Sequence, residues 1–141
     1  MNEKRIRTAV IAADLFEAAS AFLGAAGLLV GFMGIPVSIL IGTPFTDFTI
    51  PALLLGVVVG GSALVAGIIA AFALRPYDAF ASGVAGCITV GWLTIEIAMI
   101  GLQSWAQVVW WLVGALMIVL AVLLFEAESH AAPLRGRHQP A

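Results

Sequence analysis

Two glutamates within long apolar segments are the residues of this sequence with the clearest capacity for chemistry. Glu17 lies in the apolar segment that follows the basic N-terminus, and Glu96 lies in the third such segment. A carboxyl group inside a membrane-spanning helix can carry a proton or bind a cation, and such groups often line ion or substrate pathways. The same group can instead hold two helices together through a hydrogen bond. The sequence is compatible with both roles.

The surroundings of Glu17 place it on a side of its helix that faces other protein. Ser20 and Gly24 follow it at spacings of three and four residues, which keeps all three on one helical face. Glu17 would lie about 11 Å inside the membrane boundary, since a helix rises about 1.5 Å per residue. A lone charge would be costly at that depth. We therefore expect one of two roles for Glu17. It either carries a proton or cation, or it serves a structural role, as a helix fastener within a helix contact or as a group solvated in a cleft beside Asp14.

Glycines recur at helical spacing along the first two apolar segments. Between helices in lipid there is little hydrophobic driving force, so close packing depends on small residues that let the backbones approach. These stripes therefore predict helix–helix contacts. The glycines that we expect at the contacts are Gly24, Gly27, Gly31, Gly56, Gly60 and Gly67.

A second polar group is expected near the opposite membrane boundary. One face of the third segment carries Ser82, Thr89, Trp92, Glu96 and Gln103. Asp47, in the first connection, can cap the start of the second helix or join Glu96 and Gln103 in one polar cluster. Glu17 and Glu96 would lie about 11 Å apart along the membrane normal, so we expect no direct pair between them.

The composition indicates that membrane-spanning helices must position these groups. The chain has 141 residues, of which 62% are hydrophobic and 10% charged, and its mean hydropathy is +1.13. A soluble domain is about half apolar and about a quarter charged. A hydrocarbon layer of about 30 Å requires about 20 apolar residues per helix. The sequence predicts four such spans, at about residues 9–33, 50–74, 79–101 and 105–125.

The expected fold is an all-α, four-helix transmembrane bundle in residues 1–125, with both termini in the cytoplasm. All six Lys and Arg residues lie at the N-terminus, in the second connection or after the fourth span, and such residues favour the cytoplasmic side. The first connection, residues 34–49, is long and apolar, so we expect an outer loop that folds over the helix ends. Residues 126–141 hold few large apolar groups, and we expect a disordered cytoplasmic tail.

The sequence gives no indication of an enzyme or of nucleic-acid binding. Cys87 lies in an apolar segment, while His130 and His138 both lie in the tail. No Ser-His, Cys-His or metal-ligand arrangement can be assembled from these residues, so we expect no catalytic site, no metal and no cofactor. The net charge of -2 comes without a basic stripe, so we expect no nucleic-acid partner.

A resemblance to a protein family rests on two motifs. The segment GTPFTDFTIPALLL, residues 42–55, followed by Gly56 and Gly60, resembles a signature of small, uncharacterised bacterial membrane proteins with four spans. The stretch WLTIEIAMIG, residues 92–101, belongs to the same resemblance, which covers nearly the whole chain. It implies a bacterial inner membrane and no particular activity. A weaker similarity, to small multidrug resistance transporters, rests on four short spans and a functional glutamate in the first span, the place that Glu17 occupies.

Two classes of function follow from these observations. We expect a structural or accessory component of the bacterial inner membrane, a multi-pass protein whose partners are the lipid bilayer and either further copies of itself or another membrane protein. The alternative is a small proton- or cation-coupled transporter that uses Glu17 and, in addition, Glu96. Access of water to these two carboxyl groups would distinguish the two classes.

Overall fold

The structure, a computed structural model, describes residues 2–135 and the side chains of residues 2–130. This part of the chain is helical with connecting loops, and four of its helices are long and apolar enough to cross a membrane. The four are α1, Glu3–Leu29; α2, Thr49–Ala71; α3, Tyr77–Ile100; and α4, Trp105–Arg135. The all-α bundle of four spans expected from the sequence is therefore confirmed.

The helices alternate in direction, and each packs against the next one in the chain. Helix α4 also closes against α1, while α1 and α3 lie across the bundle from each other. The N-terminus, the α2–α3 connection and the last turns of α4 share one end of the bundle. We call it the basic end, because it carries Lys4, Arg5, Arg7 and Arg75. The connections at residues 30–48 and 101–104 lie at the other end, which we call the loop end.

Helix α1 begins and ends earlier than the expected limits of about residues 9 and 33. Its start is set by Asn2, whose side chain accepts a hydrogen bond from the backbone of Lys4. Its end follows from Gly31 and Gly34, whose φ angles of +69° and +60° belong to the left-handed region. Gly31 was expected at a helix contact but lies beyond the helix, and a Cβ added there would meet nothing within 4 Å.

Helix α4 continues past its expected limit at residue 125 and runs to Arg135. Residues 126–135, which were expected in a disordered tail, are helical. The physical reason is that Glu128 is nearly buried and forms an ion pair with Arg7 of α1, which holds this turn against the bundle. Residues 136–141 lie outside the described residues, and the expectation for them stays a prediction.

Helix α2 contains a wider turn, because residues Leu54–Gly60 follow a π-helical path between two α-helical parts. Two of the expected contact glycines lie in this segment and face α1. A Cβ added to Gly56 would lie 3.1 Å from the Cβ of Ala25, and one added to Gly60 would lie 3.3 Å from the Cβ of Ala21. A side chain at either position would therefore need its neighbour on α1 to move by a few tenths of an ångström.

Of the other expected contact glycines on α1 and α2, two face the partner helix and one faces the first connection. A Cβ added to Gly24 would approach Leu55 of α2 at 3.2 Å, and one added to Gly67 would approach Leu15 of α1 at 2.9 Å. Gly27 faces Met33 of the following connection, not a second helix.

The closest backbone approach lies between α3 and α4, where the sequence analysis expected no glycine contact. A Cβ added to Gly86 would lie 2.8 Å from the carbonyl oxygen of Gly114 and 2.9 Å from a side-chain carbon of Ile118. In the opposite direction, a Cβ added to Gly114 would lie 3.0 Å from Thr89. Helices α1 and α2 therefore form one tight pair, and α3 and α4 form a second.

We predict that Gly86→Ala destabilises the bundle by about 1–3 kcal/mol, because the added methyl group meets a backbone carbonyl that cannot move alone. Gly91→Ala is the matched control on the same helix, since its Cβ would meet nothing within 4 Å. Thermal unfolding in detergent micelles measures both. A melting temperature for Gly86→Ala equal to that of Gly91→Ala would contradict the close contact.

Candidate functional site

Polar side chains of α1 and α3 meet in the centre of the bundle. Asp14 and Glu17 of α1 are 0% and 1% exposed, and Ser82 and Thr89 of α3 are equally buried. The Ser82 hydroxyl donates a hydrogen bond of 2.8 Å to Oδ1 of Asp14. Thr89 lies within hydrogen-bonding reach of Glu17 and donates its own proton to the carbonyl of Ala85. These contacts join two helices that lie diagonally across the bundle.

Each of the two central carboxyl groups keeps one oxygen without a partner. Oδ2 of Asp14 and Oε2 of Glu17 are buried, and neither has a hydrogen-bond partner among the described residues. Buried polar atoms are nearly always paired in native proteins, so such atoms need a specific explanation. Glu17 lies inside the bundle, and Asp14, which the sequence placed beside it in a cleft as one alternative, is buried as well. The pair can take up protons or a small cation.

A network of charged residues closes the basic end. The Arg7 guanidinium donates hydrogen bonds to the carboxylates of Asp78 on α3 and Glu128 on α4, and to Glu3 on its own helix. Arg75, in the α2–α3 connection, pairs with Glu3 and lies 3.4 Å from Glu128. Asp78 is fully buried and the Arg7 side chain is 12% exposed, so the Arg7–Asp78 pair is shielded from most of the solvent. One guanidinium thus connects three helices.

No residue of this network was expected from the sequence to belong to a functional site. Each of its members lies close to the end of a span, where charged side chains ordinarily face water. Only the fold shows that Arg7 is matched by acidic groups from three different parts of the chain. One feature of the sequence could have indicated the network. Asp78 lies three residues after Arg75, in a turn between two spans, where an acidic and a basic residue can pair.

A second polar cluster lies at the loop end, and Gln107 of α4 is its centre. The Gln107 side-chain amide donates a hydrogen bond of 2.8 Å to Oε1 of Glu96. Its oxygen accepts bonds from the backbone N–H groups of Gln103, at 2.7 Å, and Ser104, at 3.3 Å. The structure therefore brings Glu96 and Gln103 together, as expected, but through Gln107, which the sequence analysis did not identify. The sequence could have indicated this role of Gln107, because it is a polar residue in the first turn of an apolar span.

Asp47 has the first of the two roles considered for it. Its Oδ1 accepts a hydrogen bond of 2.8 Å from the backbone N–H of Thr49, the first residue of α2. That bond holds the pKa of the Asp47 carboxyl below its ordinary value, because it stabilises the charged form. The side chain is exposed, and its described hydrogen bond is to Thr49 and not to the Glu96 cluster.

A cavity of about 800 Å³ adjoins the Glu96 cluster, between α2 and α3 and beneath the first connection. Its walls are mainly apolar. They include Leu54 and Val58 from the π-helical segment, Ile88 and Ile95 from α3, and Ile39 and Phe45 from the connection. Glu96, Gln103 and Gln107 lie at its polar end. Glu17 is not among the lining residues, so the two carboxyl groups considered for transport lie in separate sites.

Trp92 of α3 also lines the cavity. Its indole N–H is buried and has no acceptor among the residues that the structure describes. The cavity also reaches the lipid-facing surface, because Val58 is 45% exposed and Ile95 57% exposed. In a bilayer these side chains meet lipid, so the cavity borders the hydrocarbon layer.

We predict that Arg7→Met destabilises the protein by about 3–5 kcal/mol, because it leaves the buried Asp78 carboxylate without its basic partner and leaves Glu128 with Arg75 alone. Arg5→Met is the control, since Arg5 is exposed. Unfolding in mixed micelles measures both variants, and adding Asp78→Asn to Arg7→Met is expected to restore part of the loss. Equal stability of Arg7→Met and Arg5→Met would show that the network contributes little.

No protein-family model, no curated protein and no solved structure matches this chain. A functional assignment therefore depends on the described geometry alone: the central carboxyl pair, the charged network at the basic end, and the cavity at the loop end.

Proposed function

We propose that this membrane protein is an accessory component that holds an amphiphilic molecule of the bilayer in its cavity at the loop end. The observation that carries the proposal is the cavity itself, about 800 Å³ in volume, apolar along its walls and polar at one end. Binding sites for small molecules typically measure about 300–1,000 Å³ and combine apolar walls with a few placed polar groups.

The form of α2 supports the same proposal. The π-helical segment Leu54–Gly60 contacts α1 through Gly56 and Gly60 and lines the cavity through Leu54 and Val58. π-Helical turns are rare and occur often at functional sites. Here the wider turn lies where α2 separates from α3, so it contributes to the shape of the cavity.

The setting that we propose is the bacterial inner membrane, with the basic end in the cytoplasm and the loop end outside. The distribution of Lys and Arg supports this orientation. The amphiphile would then come from the outer half of the bilayer. We propose no catalytic activity. A second copy of the chain or another membrane protein would be the macromolecular partner of such an accessory component, packed against its apolar outer faces.

We predict that Gly91→Phe abolishes retention of the amphiphile, because Gly91 lines the cavity and has open space at its Cβ position. Gly91→Ala is the matched control and leaves most of the cavity free. Native mass spectrometry of protein extracted in a mild detergent counts the retained molecules, and thermal unfolding verifies that both variants fold. If Gly91→Phe retains as much amphiphile as Gly91→Ala, the cavity is not the binding site.

A second candidate function is a small proton- or cation-coupled transporter. The observation that favours it is the pair of buried carboxyl oxygens of Asp14 and Glu17 that lack partners. Ionisable groups inside membrane bundles often belong to ion pathways. In this scheme Glu96, which lines the cavity, would lie nearer the outer surface, and the proton or cation would reach it by a route separate from that to Glu17.

We predict opposite outcomes of Glu17→Gln for the two candidate functions. Glutamine keeps the size and hydrogen-bonding capacity of the side chain but cannot ionise. If Glu17 is a fastener, stability and amphiphile retention stay unchanged. If it carries a proton or cation, the variant folds but loses flux driven by a pH gradient in liposomes, and Glu17→Asp keeps part of it. Flux that survives in Glu17→Gln would exclude the transport role of this residue.

A further inference from the structure

We infer that the first half of the α1–α2 connection, residues 30–41, is a membrane anchor that is seated in the boundary layer of the bilayer at the loop end. We call this segment the apolar arm. Its partner is the lipid surface, which covers the exposed side chains of the arm in place of water. The inference goes beyond the proposed function, because it concerns a different surface and holds whether or not the cavity retains an amphiphile.

The apolar arm carries large hydrophobic side chains that the rest of the described chain leaves uncovered. Phe32 is 88% exposed and Val30 is 76% exposed. Within residues 30–41, Leu40 is buried and Ile39 is half-buried, while the other residues are exposed. The further large hydrophobic residues among the exposed ones are Met33, Ile35, Val37 and Ile41. Apolar patches of this kind are uncommon on surfaces that face water and mark contacts with protein or with a membrane.

The apolar arm is hydrophobic on both of its sides. Ile39 and Leu40 line the loop-end cavity, so this side is turned towards the bundle. Val37 and Ile41 flank them in the chain but are not among the lining residues, and they are 53% and 83% exposed. Apolar surface is unfavourable in water, so a loop that lies between a cavity and water would carry polar groups on its outer side. The outer side of the arm therefore requires apolar surroundings of its own.

The distribution of charge favours lipid as these surroundings. The sequence has no Lys, Arg, His, Asp or Glu between Glu17 and Asp47. Leu23 and Leu29 of α1 are 74% and 55% exposed, so the apolar outer surface of the helix continues without interruption into the arm. That helix surface faces lipid in a bilayer. The arm is thus an extension of a lipid-facing surface and not a separate patch.

The length of α1 places the apolar arm at the membrane boundary. Leu29 lies 22 residues after Arg7 of the charged network, which corresponds to about 33 Å along the helix axis. The hydrocarbon layer is about 30 Å thick, so α1 ends where that layer ends. Trp105, the first residue of α4, lies at the same end and is 76% exposed. Exposed tryptophans favour this level of a membrane.

The backbone of the apolar arm fits the boundary layer better than the hydrocarbon. The N–H groups of Gly34, Ile39 and Ile41 donate hydrogen bonds of 3.1–3.2 Å within short turns, but the arm is not one continuous helix. Irregular backbone does not face lipid within the hydrocarbon region, because its polar groups would stay unpaired there. The backbone therefore lies at the level of the headgroups, and the large side chains enter the adjoining acyl region.

The test places a nitroxide label on the apolar arm, in protein reconstituted into nanodiscs that hold one copy. Cys87→Ser removes the native cysteine, and Phe32→Cys or Ile41→Cys then carries the label. Oxygen concentrates in the hydrocarbon and a nickel chelate stays in water, so relaxation of the label by each reagent reports its surroundings. Thermal unfolding verifies that each variant folds like Cys87→Ser.

Two control positions give the limits of the measurement. Val57→Cys lies on the lipid-facing side of α2, where the native residue is 68% exposed, and Thr46→Cys lies on the exposed polar part of the same connection. We expect oxygen to relax the label more than nickel at Phe32 and Ile41, as at Val57, and the order of the two reagents to reverse at Thr46. A larger effect of nickel at Phe32 or at Ile41 would overturn the lipid-seated arm.

A second copy of the chain is the alternative cover for the apolar arm. Liposomes that hold several copies test it, because a protein contact would shield the labels at Phe32 and Ile41 from both reagents. We expect the preference for oxygen to stay as it is in nanodiscs. Loss of access to both reagents in the liposomes would overturn the inference and assign the arm to an interface between copies. None of these outcomes depends on Gly91→Phe, so failure of the cavity proposal and failure of this inference are distinguishable.

Discussion

The guanidinium of Arg7, whose side chain is 12% exposed, makes the contacts on which the rest of the arrangement depends. It joins α1 to Asp78 at the start of α3 and to Glu128 near the end of α4, and so fixes the three helices at the basic end. Removing a polar group from water requires partners within the protein, and here the acidic partners come from two other helices. With the register set there, Asp14 meets Ser82 about two turns further along α1, and Glu17 meets Thr89.

A second constraint is the division of the bundle into two tight helix pairs. Gly56 and Gly60 bring α2 against α1, and Gly86 and Gly114 bring α3 against α4. Helices α2 and α3 pack closely in the basic half but separate towards the loop end, where the π-helical segment begins. The charged network holds the pairs together at one end, and the cavity lies between them at the other. The candidate binding site is therefore a consequence of how the pairs are joined.

The sequence allowed the number and approximate position of the spans to be predicted, because membrane thickness dictates a minimum apolar length. It also placed Glu17 on an inward face, where the structure finds it 1% exposed. The end of α1 was missed, since hydropathy does not register the left-handed backbone at Gly31. Asp78 and Glu128 were missed because a charge at a span end is ordinary until its partner is known. The cavity could not be predicted, as it depends on the separation of two helices distant in sequence.

The most direct test of the account is a proton nuclear Overhauser measurement from the methyl groups of Val58 and Ile95, which line the cavity on α2 and α3. The protein keeps the amphiphile with which it was extracted and lies in nanodiscs of deuterated lipid. The account predicts cross-peaks from these methyl groups to acyl-chain protons of the retained molecule, because that molecule would lie between the two helices. Cross-peaks between Val58 and Ile95 without any to acyl-chain protons would show that α2 and α3 close over the cavity and would contradict the account.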